Sequence, residues 1–176
     1  MTDARPAVGF PAVAWGPSGS RVSRVGARFA ATTLGSWLIR TAVPLDRWVL
    51  VKSGGRRTVL GPMGATLLLL TTTGSVSGTA RTTPLMYLPD GDAILLAGSN
   101  FGQSRHPAWS TNLLKDPEAV VTIGGIDYPV TARLLEGDER AAGWAKFTAA
   151  AVTYRAYLER TDRTIRVFSL TRKAAR

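Results

Sequence analysis

The stretch Thr66–Thr73, TLLLLTTT, is an almost unbroken run of apolar and β-branched residues. Such a run predicts a strand buried on both faces. The residues after it continue in the same manner. A Gly/Ser loop (Gly74-Ser75-Val76-Ser77-Gly78) leads to a second strand over Arg81–Leu88. Pro89-Asp90-Gly91-Asp92 reads as a hairpin turn into a third strand, Ala93–Ser99. Ala119–Ile123 and Ile126–Leu135 form a second hairpin about Gly124-Gly125, and Thr164–Thr171 is the last strand. Between these lie a short helix opened by His106-Pro107-Ala108-Trp109, which must end before Asp116-Pro117, and a longer one over Glu139–Ala150. Asp138 is placed to cap the longer helix, which continues or kinks into Tyr154–Arg160. About six strands, mostly hairpin-linked, predict an α+β, mainly β architecture: a small antiparallel barrel with peripheral helices.

The residues before this block differ in character. Residues 1–19 hold Pro6, Pro11 and Pro17 among small turn-formers and read as a flexible lead-in. Over 20–41 a helical period places Val22, Val25 and Phe29 on one stripe and Arg21, Arg24 and Arg28 on its neighbour. That pattern serves a helix packed on the domain's own core, or one lying on a membrane interface. Pro44 can open a second helix running to Ser53, with Gly54 as its stop. The expected division is a basic arm over 1–41 and a barrel domain over 42–176.

Net charge is +10, and its placement matters more than its size. Residues 1–66 carry nine Lys/Arg against two acids, whereas residues 67–170 carry ten of each. A nucleic-acid binder would normally have a basic folded body, so no nucleic-acid partner is expected. A basic leading segment suits something anionic: a membrane surface, a phosphate-bearing cofactor or RNA, the last disfavoured by the neutral body. The sequence has no Cys and one His (His106), which excludes thiol chemistry, iron–sulfur clusters and any multi-His metal site. Neither a dinucleotide fingerprint nor a P-loop is present. What remains is the Gly/Ser loop with Arg81, Thr82 and Thr83 behind it. Freed backbone N–H groups, two hydroxyls and a guanidinium make a receptor for a phosphate or carboxylate.

Four segments, in order, carry a resemblance: PLDRWVLVKSGGRR, LLLLTTTGSVSGTARTTPLMYL, SNFGQSRHPAWSTNLLKDP and YRAYLERTDRTIRVFSL. Together they span roughly residues 44–172 and are similar to the actinobacterial deazaflavin-dependent nitroreductase family. The resemblance implies a split β-barrel that binds coenzyme F420, a deazaflavin with a phospholactyl-oligoglutamate tail, FMN being the alternative. It implies a hydride transfer to a quinone, nitroaromatic or other conjugated acceptor. Matched by position, the cofactor would meet Ser75, Ser77, Gly78 and Arg81 in the loop and Thr83 and Pro84 on the next strand. Ser99, Asn100, Trp109 and Asn112 complete that set. Met86, Tyr154 and Tyr157 would meet the acceptor, with Ser99, Tyr154 and Tyr157 as candidate proton donors and no metal. The chain departs from the family at Ser75 and Val76, where a basic pair is usual, at Phe101 for glycine, and at Ser110 and Ala151 for tyrosines.

Two readings are carried forward. One is an F420H2-dependent reductase; the other is a non-catalytic barrel of the same kind holding a lipid or other apolar ligand near a membrane. No stretch reaches the ~18 apolar residues of a membrane span, and a signal peptide is not expected. The expected location is the cytoplasm, with the arm touching the inner face of the plasma membrane in the membrane version. A homodimer is expected by analogy alone.

Overall fold

The computed structural model describes residues 9–11, 45, 48–54, 56, 66–150 and 152–173. The helix expected over 20–41 lies outside them. Six strands are present: β1 (Leu67–Thr73), β2 (Ala80–Asp90), β3 (Ala93–Ala97), β4 (Glu118–Ile123), β5 (Ile126–Leu135) and β6 (Val167–Arg172). They close into a barrel in the order β1-β2-β3-β6-β5-β4, every pair antiparallel. The two longest strands make the closure possible. β2 pairs with β1 through Ala80–Met86 and with β3 through Tyr87–Asp90. β5 pairs with β4 through Ile126–Thr131 and with β6 through Val130–Leu135. Pro84 falls in the half of β2 that has one partner, where a strand proline is tolerated.

Alternation along the strands sorts the apolar residues into two cores. Leu68 and Leu70 of β1, Tyr87 of β2, Ile94 and Leu96 of β3, Val121 and Ile123 of β4, and Phe168 and Leu170 of β6 fill the barrel. The opposite parity, Leu95, Leu135 and Val167, faces outward and is covered by Trp144, Phe147 and Tyr154. Those three belong to helices α2 (Gly137–Ala150) and α3 (Val152–Leu158); α1 (Ala108–Lys115) lies against β1. Burial of each large apolar side chain favours the fold by about 1.5–3 kcal/mol, so both faces of β3 contribute. This is why β1 and β3 read as continuous apolar runs.

The element boundaries differ from the sequence expectations in a few places. β2 reaches Asp90, leaving Gly91 (φ +61) to turn the hairpin. Pro107 is the extended residue before α1 rather than its first helical residue, and Asp138 lies inside the first turn of α2, after Gly137. β6 begins at Val167, three residues later than expected. Trp48–Lys52 is helical, and Gly54 has the left-handed φ of +59 that ends such a turn. Within the lead-in, Phe10 is buried in the barrel core edge-on to Tyr128, and the Tyr87 hydroxyl donates to the Pro11 carbonyl at 2.6 Å. The lead-in therefore touches the barrel at these residues.

Candidate functional site

β1 runs out at Thr73, and the chain must reverse within six residues to start β2. The Gly74 N–H donates to the Thr79 carbonyl at 2.9 Å and the Gly78 N–H to the Gly74 carbonyl at 2.8 Å. A Cβ on Gly74 would lie 2.6 Å from Ser77 Oγ and 3.1 Å from the Thr79 carbonyl, so a larger residue would displace the Ser77 side chain and loosen the closure. Gly78 turns the chain at φ +66. Helix α1 then fixes the turn from the side. Asn112 Oδ1 accepts the Ser75 N–H at 2.9 Å, and Lys115 Nζ donates to the Ser75 carbonyl at 2.6 Å.

The result is a cleft of about 410 Å³ lined by Thr73–Gly78, Lys115 and Asp116. The N–H groups of Val76 and Ser77 bond to no described residue, and Val76 is wholly exposed. Arg81 stands next to the turn, its Cγ 3.6 Å from where a Gly74 Cβ would be, and its guanidinium has no partner among the described residues. Asp116 also lines the cleft, its Oδ1 accepting the Glu118 N–H at 3.1 Å, and its charge faces that of Lys115. Free backbone donors with Lys115 in the lining and Arg81 on the adjoining strand suit a phosphate or carboxylate.

A second feature lies on the outer face of β2. Thr82, Pro84, Met86 and Leu88 share that face, and Met86 and Leu88 pack on the outer core with Tyr157. Tyr154 and Tyr157 meet edge-on, centroids 5.7 Å apart, and Phe101 meets Tyr157 edge-on at 6.0 Å. Tyr154 also packs on Trp144 and Phe147, and burial pushes its phenol well above the ordinary value. The C-terminal half of α1 holds Ser75, and at its N-terminal end Ser110 Oγ accepts from Arg166 Nη1 at 3.2 Å.

The residues singled out in the sequence divide accordingly. Ser75, Ser77, Gly78 and Arg81 gather at the turn, and Met86, Tyr154 and Tyr157 gather at the aromatic wall. Thr83 and Pro84 occupy opposite faces of β2 by alternation, so they do not flank one flat ring from one side. Ser99 and Asn100 begin the short 3-10 turn after β3, Ser99 being buried. Trp109 is buried in the barrel core against Phe168, centroids 5.6 Å apart, and does not line the cleft. Asn112 is likewise buried and acts through the Ser75 backbone. Sequence reading passed over Lys115 and Arg163. Lys115 was legible only as the basic last residue of a short helix; Arg163 bonds chiefly to backbone carbonyls, which leave no mark in the side-chain pattern.

Residues 43–172 match the model of the family described as F420H(2)-dependent quinone reductase. A relative of that name from Mycobacterium tuberculosis is 38% identical over 109 residues, covering 60% of this chain and 73% of the relative. The solved structure of an F420-H2 dependent reductase, FDR-A, is similar with a TM-score of 0.55 and 37% identity, covering 60% of this chain and 93% of that one. A solved domain-swapped dimer is similar at a TM-score of 0.56 and 30% identity, covering 78% and 99%. With the split-barrel topology in place and more than half its length matched, the chain belongs to the F420H(2)-dependent quinone reductase family.

Proposed function

We propose that this chain reduces quinones with F420H2. The observation that carries the reading is the Gly74–Gly78 turn, where unclaimed N–H groups and Lys115 line one cleft and Arg81 follows on β2. The residues fit the cofactor the family implies. An acidic tail needs donors and positive charge, and the turn with its flanking cations offers both. A flat ring system needs a smooth apolar surface, and Pro84 and Met86 share the outer face of β2 beyond the turn. When bound, the reduced deazaflavin supplies the hydride. The protein's part is to bind and to exclude water. Arg81 and Lys115 hold the anionic portion, while Met86, Tyr157 and Phe101 wall the acceptor side. Quinone reduction also consumes a proton, which solvent or the Ser99 or Tyr157 hydroxyl can deliver.

Titration of the purified chain with F420, repeated with FMN and followed by fluorescence, tests the reading. Micromolar binding of F420 and weaker binding of FMN are expected, together with oxidation of F420H2 on addition of menadione. Binding of neither would end the reductase reading.

The acceptor's lipid solubility gives the basic leading segment a role. Leu45, Trp48 and Val51 recur every three residues and are 57%, 57% and 44% exposed, with Lys52 Nζ 5.1 Å over the Trp48 ring. This apolar face with basic neighbours supports peripheral contact with an anionic membrane on its cytoplasmic side. Co-sedimentation with anionic vesicles, released by salt, is the expected result. A homodimer is the assembly we propose, on the likeness to a domain-swapped dimer.

A further inference from the structure

One guanidinium gathers the whole loop that follows β3. Arg163 Nη2 donates to the carbonyls of Gly98 at 3.0 Å and Ser99 at 2.8 Å. Its Nε donates to the Gln103 carbonyl at 2.9 Å, and its Nη1 lies 3.1 Å from His106 Nδ1. An arginine has five N–H groups in a rigid fork, and this one uses most of them on a single stretch of backbone.

What the fork encloses is a strained turn. Asn100 and Phe101 have φ of +46° and +55°, left-handed values that residues other than glycine keep only where their surroundings over-determine them. The Gly102 N–H donates to the Ser99 carbonyl at 2.9 Å and the Gln103 N–H to the Asn100 carbonyl at 3.0 Å. The Ser99 carbonyl therefore serves both the turn and Arg163. On the other side, Gly102 is pressed onto the end of α3. A Cβ there would lie 2.9 Å from Arg160 Cβ and 3.1 Å from the Tyr157 carbonyl. The turn thus sits between α3 and Arg163, and it leaves Phe101 edge-on to Tyr157.

Among the described residues, His106 is the fork's only acceptor that titrates. For Nδ1 to accept from Arg163, the ring proton must sit on Nε2 and the imidazole must be neutral. A proton on Nδ1 would remove the acceptor and set a third cation facing Arg163 and Arg166, the charged groups that act on the ring. Burial, then Arg166, then Arg163, hold its pKa below the ordinary 6.5. The ring is neutral at pH 7, and the grip weakens only in acid.

We propose that Arg163 is a positioning residue for quinone reduction: it holds Ser99–Gly102 in the turn that presents Phe101 to Tyr157 at the acceptor wall, and neutral His106 is part of its grip. The inference rests on the reductase reading and on the acceptor side named above.

The test compares the full chain with Arg163→Lys, which keeps the charge and loses the fork, and with His106→Gln, which keeps a neutral acceptor at every pH. Two quantities are read: amide exchange at Gly102 and Gln103 by NMR, and KM and kcat for menadione with F420H2. In Arg163→Lys both amides exchange about tenfold faster or more and the quinone KM rises about tenfold, as expected for the loss of one or two hydrogen bonds to a charged group. Its F420 dissociation constant changes less than the quinone KM, since Arg163 makes no contact with the Gly74–Gly78 turn. In the unaltered chain the quinone KM rises as pH falls from about 7 to about 5, and in His106→Gln it stays flat. Unchanged amides in Arg163→Lys would overturn the clamp. Faster amides with an unchanged KM would overturn the positioning role and leave the reductase reading standing. An acid rise that survives in His106→Gln would remove His106 from the grip, and if Arg163→Lys does not fold, this pH comparison decides. A parent chain that turns over no quinone overturns the reductase reading itself, which the amide results do not depend on.

Discussion

Asn112 and Ser75, thirty-seven positions apart, are joined by a hydrogen bond from the Ser75 N–H to Asn112 Oδ1 at 2.9 Å. The backbone N–H can only donate, so it fixes which end of the amide is oxygen. The Nδ2 group is thereby turned toward Thr72 Oγ1, 3.0 Å away. One buried side chain on α1 thus ties Thr72 of β1 to Ser75 of the Gly74–Gly78 turn. The turn owes its shape to a helix it is not part of.

Asn112→Ala should therefore act on the turn from outside the cleft. Thr72 is buried and would lose its partner, which costs about 1–3 kcal/mol. Urea unfolding should show a loss of that size, and F420 affinity should fall with it, because Ser75 is left to the Lys115 contact alone. A stability loss with unchanged affinity would mean that the turn keeps its shape unaided.

Arg81 gives the opposite signature. Its side chain is exposed and unpaired among the described residues, so Arg81→Ala should leave the unfolding midpoint unchanged. F420 should nevertheless bind about tenfold more weakly, or ~1.5 kcal/mol, as for one charge-assisted contact. An unchanged dissociation constant would place the anionic tail away from β2.

The contrast between these two residues shows what the sequence could convey. The strands were legible because both faces of β1 and β3 are covered, and an apolar run with β-branched residues admits little else. The Gly/Ser turn was legible because Gly78 turns the chain at positive φ and Gly74 packs closely on the Thr79 carbonyl. The pairing of Tyr154 with Tyr157 followed from three-residue spacing on a helix. Positional matching did not reveal that Trp109 packs on Phe168 in the barrel core or that Asn112 bonds Thr72 and Ser75. A helix of eight residues has one buried face, and the sequence does not say which cavity that face closes. Arg163 was harder still. Its partners are mostly carbonyl oxygens of the 98–103 loop, and every residue carries one.

Val76 is wholly exposed at the tip of the turn and supports nothing in the fold. Val76→Lys should leave stability unchanged and tighten F420 binding several-fold at low ionic strength, by placing a third cation beside Arg81 and Lys115. The gain should shrink at high salt, where exposed charges are screened beyond roughly 3–10 Å. Binding curves at two salt concentrations check it, and a gain insensitive to salt would argue for an apolar rather than an electrostatic contribution.

Tyr154 offers a prediction in alkali whose sign follows from burial. The phenol is enclosed by Trp144, Phe147 and Tyr157, and desolvation, followed by the neighbouring Tyr157, raises its pKa above the ordinary 10. In the unfolded chain the group ionises near that ordinary value, so above it the unfolded state holds fewer protons than the folded state. Tyr154 thus contributes stability that is complete below about pH 10 and is lost as pH rises toward the folded value. Tyr154→Phe should flatten that alkaline loss when unfolding midpoints are compared between about pH 8 and pH 11. A phenol this reluctant to ionise is also a weak proton donor at neutral pH. The same variant should accordingly keep kcat for quinone within about threefold, with the proton coming from solvent or another hydroxyl. A large loss of kcat with an unchanged acceptor KM would instead make Tyr154 a participant in the proton transfer.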